Sequence, residues 1–318
     1  MPGSMSRRAF LHGAMAASTT AAAGFRFEDR TLLARLGNAP EETGESPGAA
    51  MPRGKLGGLE VSRLICGGNL ISGFAHSRDL IYVSELLRQY FTDEKVLETF
   101  QRCEENGINT ALLRFDDNTL RILDKHWGER GGHLQWIAQV KPRERDLFAD
   151  IDRAVDRGAA AVYIQGETGD RFVEMGWVDE LGQTVERIKS HGVPAGVGAH
   201  AIDVLHACVK AHITPDFYMK TFNAKNYWSA GPMPRKDSVW EETPEETEAF
   251  FRTSAVPWIA FKVLGAGAIH PREGFQYAFE HGADFICAGM FDFQVHEDAA
   301  IAVETLALLA DRERPWCA

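Results

Sequence analysis

Side chains able to do chemistry recur just beyond short apolar runs of this chain. Arg114, Asp116 and Asp117 follow NTALL, Lys141 follows LQWIAQV, and Gln165 and Glu167 follow AAAVYI. His200 follows VPAGVGA, Lys220 and Asn223 close PDFYMKTFN, Lys262 follows PWIAF, and Gly289 and Asp292 follow ADFICA. If these runs are strands that end on one rim, four cations (Arg114, Lys141, Lys220 and Lys262) converge there. Such a rim suits an anionic or oxygen-rich carbonyl ligand. A lysine among like charges has a depressed pKa and could donate a proton or attack a carbonyl. A second set, Glu167 and His200 with His76, Asp116 or Asp292, could hold Zn²⁺ or Mn²⁺, although no HxH or HExxH spacing accompanies it. His206, six residues past His200 on a helical stretch, should face away from that rim.

The elements that must position these groups alternate regularly. Strand-like runs rich in Val, Ile and Phe cover 62–68, 109–114, 134–141, 159–166, 193–200, 215–222, 257–265 and 283–290. Helical patterns at 93–107, 147–158, 178–192, 201–212, 243–254 and 296–312 separate them, several ending in Gly. A hairpin-like piece, MPRGKLGGLEV, with its turn at Gly57-Gly58, comes first. Eight strands alternating with helices predict an α/β protein, a (β/α)₈ TIM barrel preceded by a short β-hairpin. A doubly wound open sheet would carry GxGxxG after its first strand, where this chain has Cys66-Gly67-Gly68-Asn69. Two connections, 69–92 and 223–242, are longer than a barrel needs and follow strand C-termini, where barrels place their sites. Their aromatics Phe74, Tyr82, Tyr90, Tyr227, Trp228 and Trp240 suit a lid over a polar or sugar-like ligand, or packing within the lid itself. Glu167, Lys220, Asn223, Trp228 and His76 are the candidate substrate contacts.

The 318 residues carry a net charge of −11, which excludes a general nucleic-acid binder and suits small-molecule work. The five cysteines, Cys66, Cys103, Cys208, Cys287 and Cys317, are widely spaced and read as thiols without a disulfide framework. Ser6-Arg7-Arg8-Ala9-Phe10-Leu11, a weakly apolar Ala/Gly/Thr run and Ala21-Ala22-Ala23 have the order of a twin-arginine export signal. The predicted organisation is a signal peptide at 1–23, a disordered polar linker at 24–50 and the barrel at 51–318. The export machinery is then a partner and the periplasm the destination. That route moves folded proteins, so a cofactor would be loaded before export.

Between residues 52 and 310, RGKLGGLEVSRLICGGN, ENGINTALLR, WIAQVKP, AGVGAHAIDVLHAC and WIAFKVLGAG together resemble the aldo-keto reductase superfamily. The resemblance implies a catalytic Asp, Tyr, Lys and His. Lys141 matches the lysine. Leu112 stands at the Asp position, Asp117 at the Tyr position and Gln165 at the His position. It also implies a nicotinamide stacked on Phe261, near Lys262, His200 and Gly289. The family's Ser-Asn pair corresponds to Ala199-His200. GMFDFQVHED has Asp292 and Glu297 where a cation would hold a 2′-phosphate.

Three functions follow. The first is an exported enzyme acting on a small polar carbonyl compound, a sugar derivative among the candidates. Lys141 is its proton donor or polariser, with Asp117, Gln165 and Arg114 in the catalytic set and a tightly bound NADP(H) as its cofactor. The second is a metal-assisted lyase, isomerase or epimerase using Glu167 and His200. The third is a ligand-binding barrel without turnover.

Overall fold

The computed structural model describes residues 50–74, 82–224 and 241–317, all within the unit Ala49–Ala318. The leader and, but for Ala50, the linker lie outside the described residues, as do His76, Tyr227, Trp228 and Trp240. Strands β1 (Arg53–Leu56) and β2 (Leu59–Ser62) form an antiparallel hairpin. Gly57 turns it with φ +58°, a left-handed conformation that costs glycine little. The next eight strands are β3 (Leu64–Gly67), β4 (Thr110–Arg114), β5 (Gln135–Val140), β6 (Ala161–Ile164), β7 (Ala195–Ala199), β8 (Phe217–Thr221), β9 (Trp258–Phe261) and β10 (Phe285–Ala288). They pair in parallel in chain order, and β10 closes on β3 to complete a barrel. The (β/α)₈ barrel with its leading hairpin is therefore as expected.

Alternation along each strand divides the core in two. Ile65, Leu112, Ile137, Tyr163, Phe217, Met219, Ile259, Phe285 and Cys287 face inward and pack with Leu56 and Val61 of the hairpin, which plugs the barrel floor. Full burial of such an aliphatic side chain stabilises by about 1.5–3 kcal/mol. Their strand neighbours face outward and pack under the helices. These helices are α1 (Val83–Tyr90), α2 (Asp93–Glu105), α3 (Asp117–Asp124), α4 (Ala149–Asp156), α5 (Gly166–Glu174), α6 (Val178–Ser190), α7 (Asp203–Lys210), α8 (Pro244–Thr253), α9 (Pro271–Glu280) and α10 (Val295–Leu308). Four of them, α1, α3, α5 and α9, fall where no helical stretch was singled out. Among the described residues no helix is long and apolar enough to cross a membrane. All five cysteines are free thiols, four of them buried.

The chain end ties down the floor side of the barrel. Asp284, just before β10, accepts hydrogen bonds from Arg312 (3.0 Å), Arg314 (2.9 Å) and the backbone N–H groups of Trp258 (3.1 Å) and Cys317 (3.0 Å). The Arg312 guanidinium lies 3.5 Å from the Trp316 ring centroid and that of Arg63 4.5 Å from it. Burial lowers the pKa of Arg312 to about 10 against the pull of Asp284.

Asp298, in the first turn of α10, has its carboxyl pushed up to about 7 by burial, with neighbouring Glu297 adding to the shift. A folded pKa above the unfolded value of about 3.9 means that folding is penalised as pH rises from the lower value through the higher. Asp298→Asn is therefore expected to raise the thermal midpoint at pH 8 by a few degrees, corresponding to about 1–2 kcal/mol. The gain should vanish near pH 4. Melting curves at both pH values check this; a gain independent of pH would contradict it.

Candidate active site

The barrel mouth holds two connected compartments. The first, of about 650 Å³, is polar: Arg114, Lys141, Gln165, Glu167, Asp170 and His200 are among its walls. The second, of about 340 Å³, is apolar, with Leu70, Leu87, Leu112, Val263, Phe291 and Gly289 among its walls. Asn69, Phe74, Gln139, Tyr163, Phe261 and Lys262 border both.

The polar compartment is organised by α5, which starts directly at the end of β6. Glycines allow this close approach. A Cβ on Gly169 would lie 2.3 Å from the carbonyl oxygen of Gly198 in β7, so only glycine lets the helix rest on that strand. The seating brings Asp170, one turn into α5, against His200, the residue that follows β7. Asp170 Oδ2 lies 2.7 Å from His200 Nδ1. Its Oδ1 accepts from the backbone N–H groups of His200 and Ala201, each at 3.0 Å. Burial alone would raise the Asp170 pKa, but the His200 ring and the two backbone donors hold it below the ordinary carboxylate value. An ionised carboxylate at Nδ1 would draw the proton of a neutral imidazole to that nitrogen. The ring also packs against Phe261 in an edge-type contact, with centroids 5.4 Å apart.

Lys141 and Glu167 face one another across the rim, Nζ to Oε2 3.8 Å, both half-exposed. The Arg114 guanidinium lies over the Phe74 ring at 4.3 Å and stands 3.8 Å from Asp116. Gln165 occupies the position before α5 and accepts a hydrogen bond from Thr168 (3.3 Å).

Three expectations need correction. The four cations do not converge. Lys220 shares the outward side of β8 with Tyr218 and Phe222, is fully buried, and is ion-paired with Glu241. Its pKa is lowered, as a clustered lysine's would be, but the cause is burial. Asp117 is the first residue of α3 and lines neither cavity, while Asp116 caps that helix by accepting from Thr119 N–H (2.8 Å). Asn223 is buried and donates to the Lys262 carbonyl (3.1 Å), outside either lining. Of the residues of the metal alternative, His76 lies outside the described residues, His200 pairs with Asp170 through Nδ1, and Glu167 stands 3.8 Å from Lys141. Among the described residues no three His, Cys, Asp or Glu side chains gather as a metal would require.

Sequence reasoning also missed groups the structure places in the site. Asp170 lies in GETGDRF, a stretch whose two glycines hide its helix; their spacing was the available signal. Tyr163 and Gln139 sit inside strand runs and read as core.

The apolar compartment has Phe261 and Gly289 in its walls, with the Leu70 side chain packed against Gly289, and its lining suits a flat, largely apolar ring such as a nicotinamide. A 2′-phosphate is less well served. Asp292 beyond β10 is negative, its carboxyl held ionised against burial by Lys95 (2.8 Å) and Tyr90.

No family model and no curated protein matches the sequence. Solved structures do match. One described as an aldo-keto reductase from Pseudomonas aeruginosa superposes with a TM-score of 0.57 at 17% identity, covering 80% of this chain and 94% of that one. The holo form of an aldo-keto reductase from Bacillus halodurans gives 0.53 at 14% identity, covering 81% and 96%. A phospho-2-dehydro-3-deoxyheptonate aldolase from Thermotoga maritima gives 0.52 at 10%, covering 83% and 76%. The fold is thus aldo-keto-reductase-like, a barrel shape that the aldolase shares; at these identities the likeness is one of fold.

Proposed function

We propose that this chain is an enzyme acting on a small, polar carbonyl compound of sugar-like size, bound in the polar compartment. The observation that carries the reading is the buried Asp170–His200 dyad, which lines that compartment together with Lys141 and Arg114. His200 exchanges the proton, with its tautomer fixed by Asp170. Lys141 polarises a substrate oxygen, and Arg114, braced on Phe74, binds a negative or oxygen-rich end. Gln165 and Glu167 border the same space and take hydroxyl groups. A nicotinamide bound beside Phe261 would supply hydride and make the reaction a reduction; Phe261, Lys262 and Gly289 are the residues that would hold it. The reading of residues 1–23 as a twin-arginine leader and 24–50 as a linker to the barrel at 51–318 adds periplasmic export of the folded protein.

Lys141→Met tests the assignment. It should lower kcat/KM on small carbonyl compounds by about 100-fold, the size of one lost charge-stabilising donor. The thermal midpoint should hold, because Lys141 is half-exposed and loosely paired. Unchanged turnover would remove Lys141 from the reaction. Mass spectrometry of what the freshly denatured protein releases addresses the cofactor, and an equimolar nicotinamide nucleotide is the expected result for a reductase.

A further inference from the structure

The floor where the two compartments meet holds two polar groups that the dyad and the rim cations do not use. Tyr163 on β6 and Gln139 on β5 are register partners in the barrel wall, and both border both compartments. Tyr163 is 3% exposed. Neither its hydroxyl nor the Gln139 amide hydrogen-bonds to any described residue, yet neither is among the sealed polar atoms of the interior. Their remaining accessible surface is the cavity itself. Tyr163→Phe would remove the hydroxyl while keeping the ring that fills the barrel. An unsatisfied donor aimed into a cavity marks the place where a ligand acceptor sits.

We propose that Tyr163 and Gln139 form a two-donor oxygen site, in which the phenol O–H and the amide N–H donate to the carbonyl oxygen of the substrate. The inference rests on the reading of the chain as a carbonyl enzyme and adds where the reacting oxygen lies. The phenol keeps its proton, because burial, aided by Cys287, pushes its pKa well above the ordinary value. It therefore stabilises developing negative charge as a neutral donor, while proton exchange stays with His200. The positions follow from strand alternation. Leu112, Gln139, Tyr163 and Cys287 project into the barrel, and of these only Gln139 and Tyr163 carry strong donors. The oxygen is thus drawn to the β5–β6 side, toward Lys141 and His200.

The probe is para-dimethylaminobenzaldehyde, whose absorption band moves to longer wavelength when its carbonyl oxygen accepts hydrogen bonds. Wild-type protein should bind it with a red shift. Tyr163→Phe should lose most of the shift and lower kcat/KM on carbonyl substrates about 100-fold. Gln139→Leu should lose part of the shift. Both variants should melt at or above the wild-type temperature. His200→Asn should keep the shift while losing turnover. A full shift in Tyr163→Phe, or none in wild type, would overturn the oxygen site. A Tyr163-dependent shift in a protein that converts no carbonyl compound would support the site and sink the enzymatic reading instead.

Discussion

Asp170→Asn should lower kcat by about 10²–10⁴-fold, the range a positioned proton carrier contributes. The asparagine can keep its carbonyl oxygen on the backbone N–H groups of His200 and Ala201, so α5 should stay seated on β7. Its amide nitrogen would then face His200 Nδ1 and donate to it. The ring proton would move to Nε2, and the lone pair would point at an amide instead of at substrate. Substrate affinity should change little, because Arg114 and Lys141 are untouched, so the loss belongs in kcat and not in KM. Steady-state kinetics with circular dichroism check this. A variant that retains wild-type kcat would show that the dyad merely anchors α5 to the barrel.

The largest expected loss of stability lies at the opposite end of the molecule. Asp284→Ala should cost about 3–5 kcal/mol, because the carboxylate is buried and removing it strands Arg312 and Arg314 without a counter-charge. It also leaves the N–H groups of Trp258 and Cys317 without their acceptor. In a domain of this size that corresponds to a fall in the thermal midpoint on the order of 10 °C. Thermal melting measures it. A midpoint within a degree or two of wild type would mean that the arginines reach water when the tail lifts, and that the chain end is not a lock.

These two residues show what was and was not legible beforehand. The eight strands were visible because parallel barrel strands, covered on both faces, are near-continuous apolar runs. The hairpin was visible because Gly57-Gly58 punctuates two short alternating stretches. Helices with several turns of clean periodicity, such as α2 and α6, were equally plain. α5 was not, since GETGDRFVE is short, holds two glycines and follows its strand without a loop; Asp170 was hidden with it. α9, PREGFQYAFE, was missed as well, with Gly274 breaking its helical pattern near its start. At the site, the strand-end rule found Arg114, Lys141, Gln165, Glu167, His200, Lys262 and Gly289, and the family resemblance pointed to Phe261; all of them border the cavities. It failed at Lys220, because a strand end has an inner and an outer side and the register of β8 turns this lysine outward. It could not reach Tyr163, one residue before the end of β6, where an aromatic is indistinguishable from core until the cavity above it is seen.

The central claim is that the polar compartment converts carbonyl compounds and does not merely hold them. The most direct measurement incubates the purified protein with a panel of small hydroxy-carbonyl and sugar-acid compounds, with and without nicotinamide nucleotides. Conversion is followed by proton magnetic resonance in deuterated buffer. Catalytic loss of at least one compound, or deuterium uptake beside its carbonyl, is expected from the wild type and should be abolished by Asp170→Asn. Saturable binding with no conversion and no exchange across the panel would contradict the claim and mark the barrel as a binding protein.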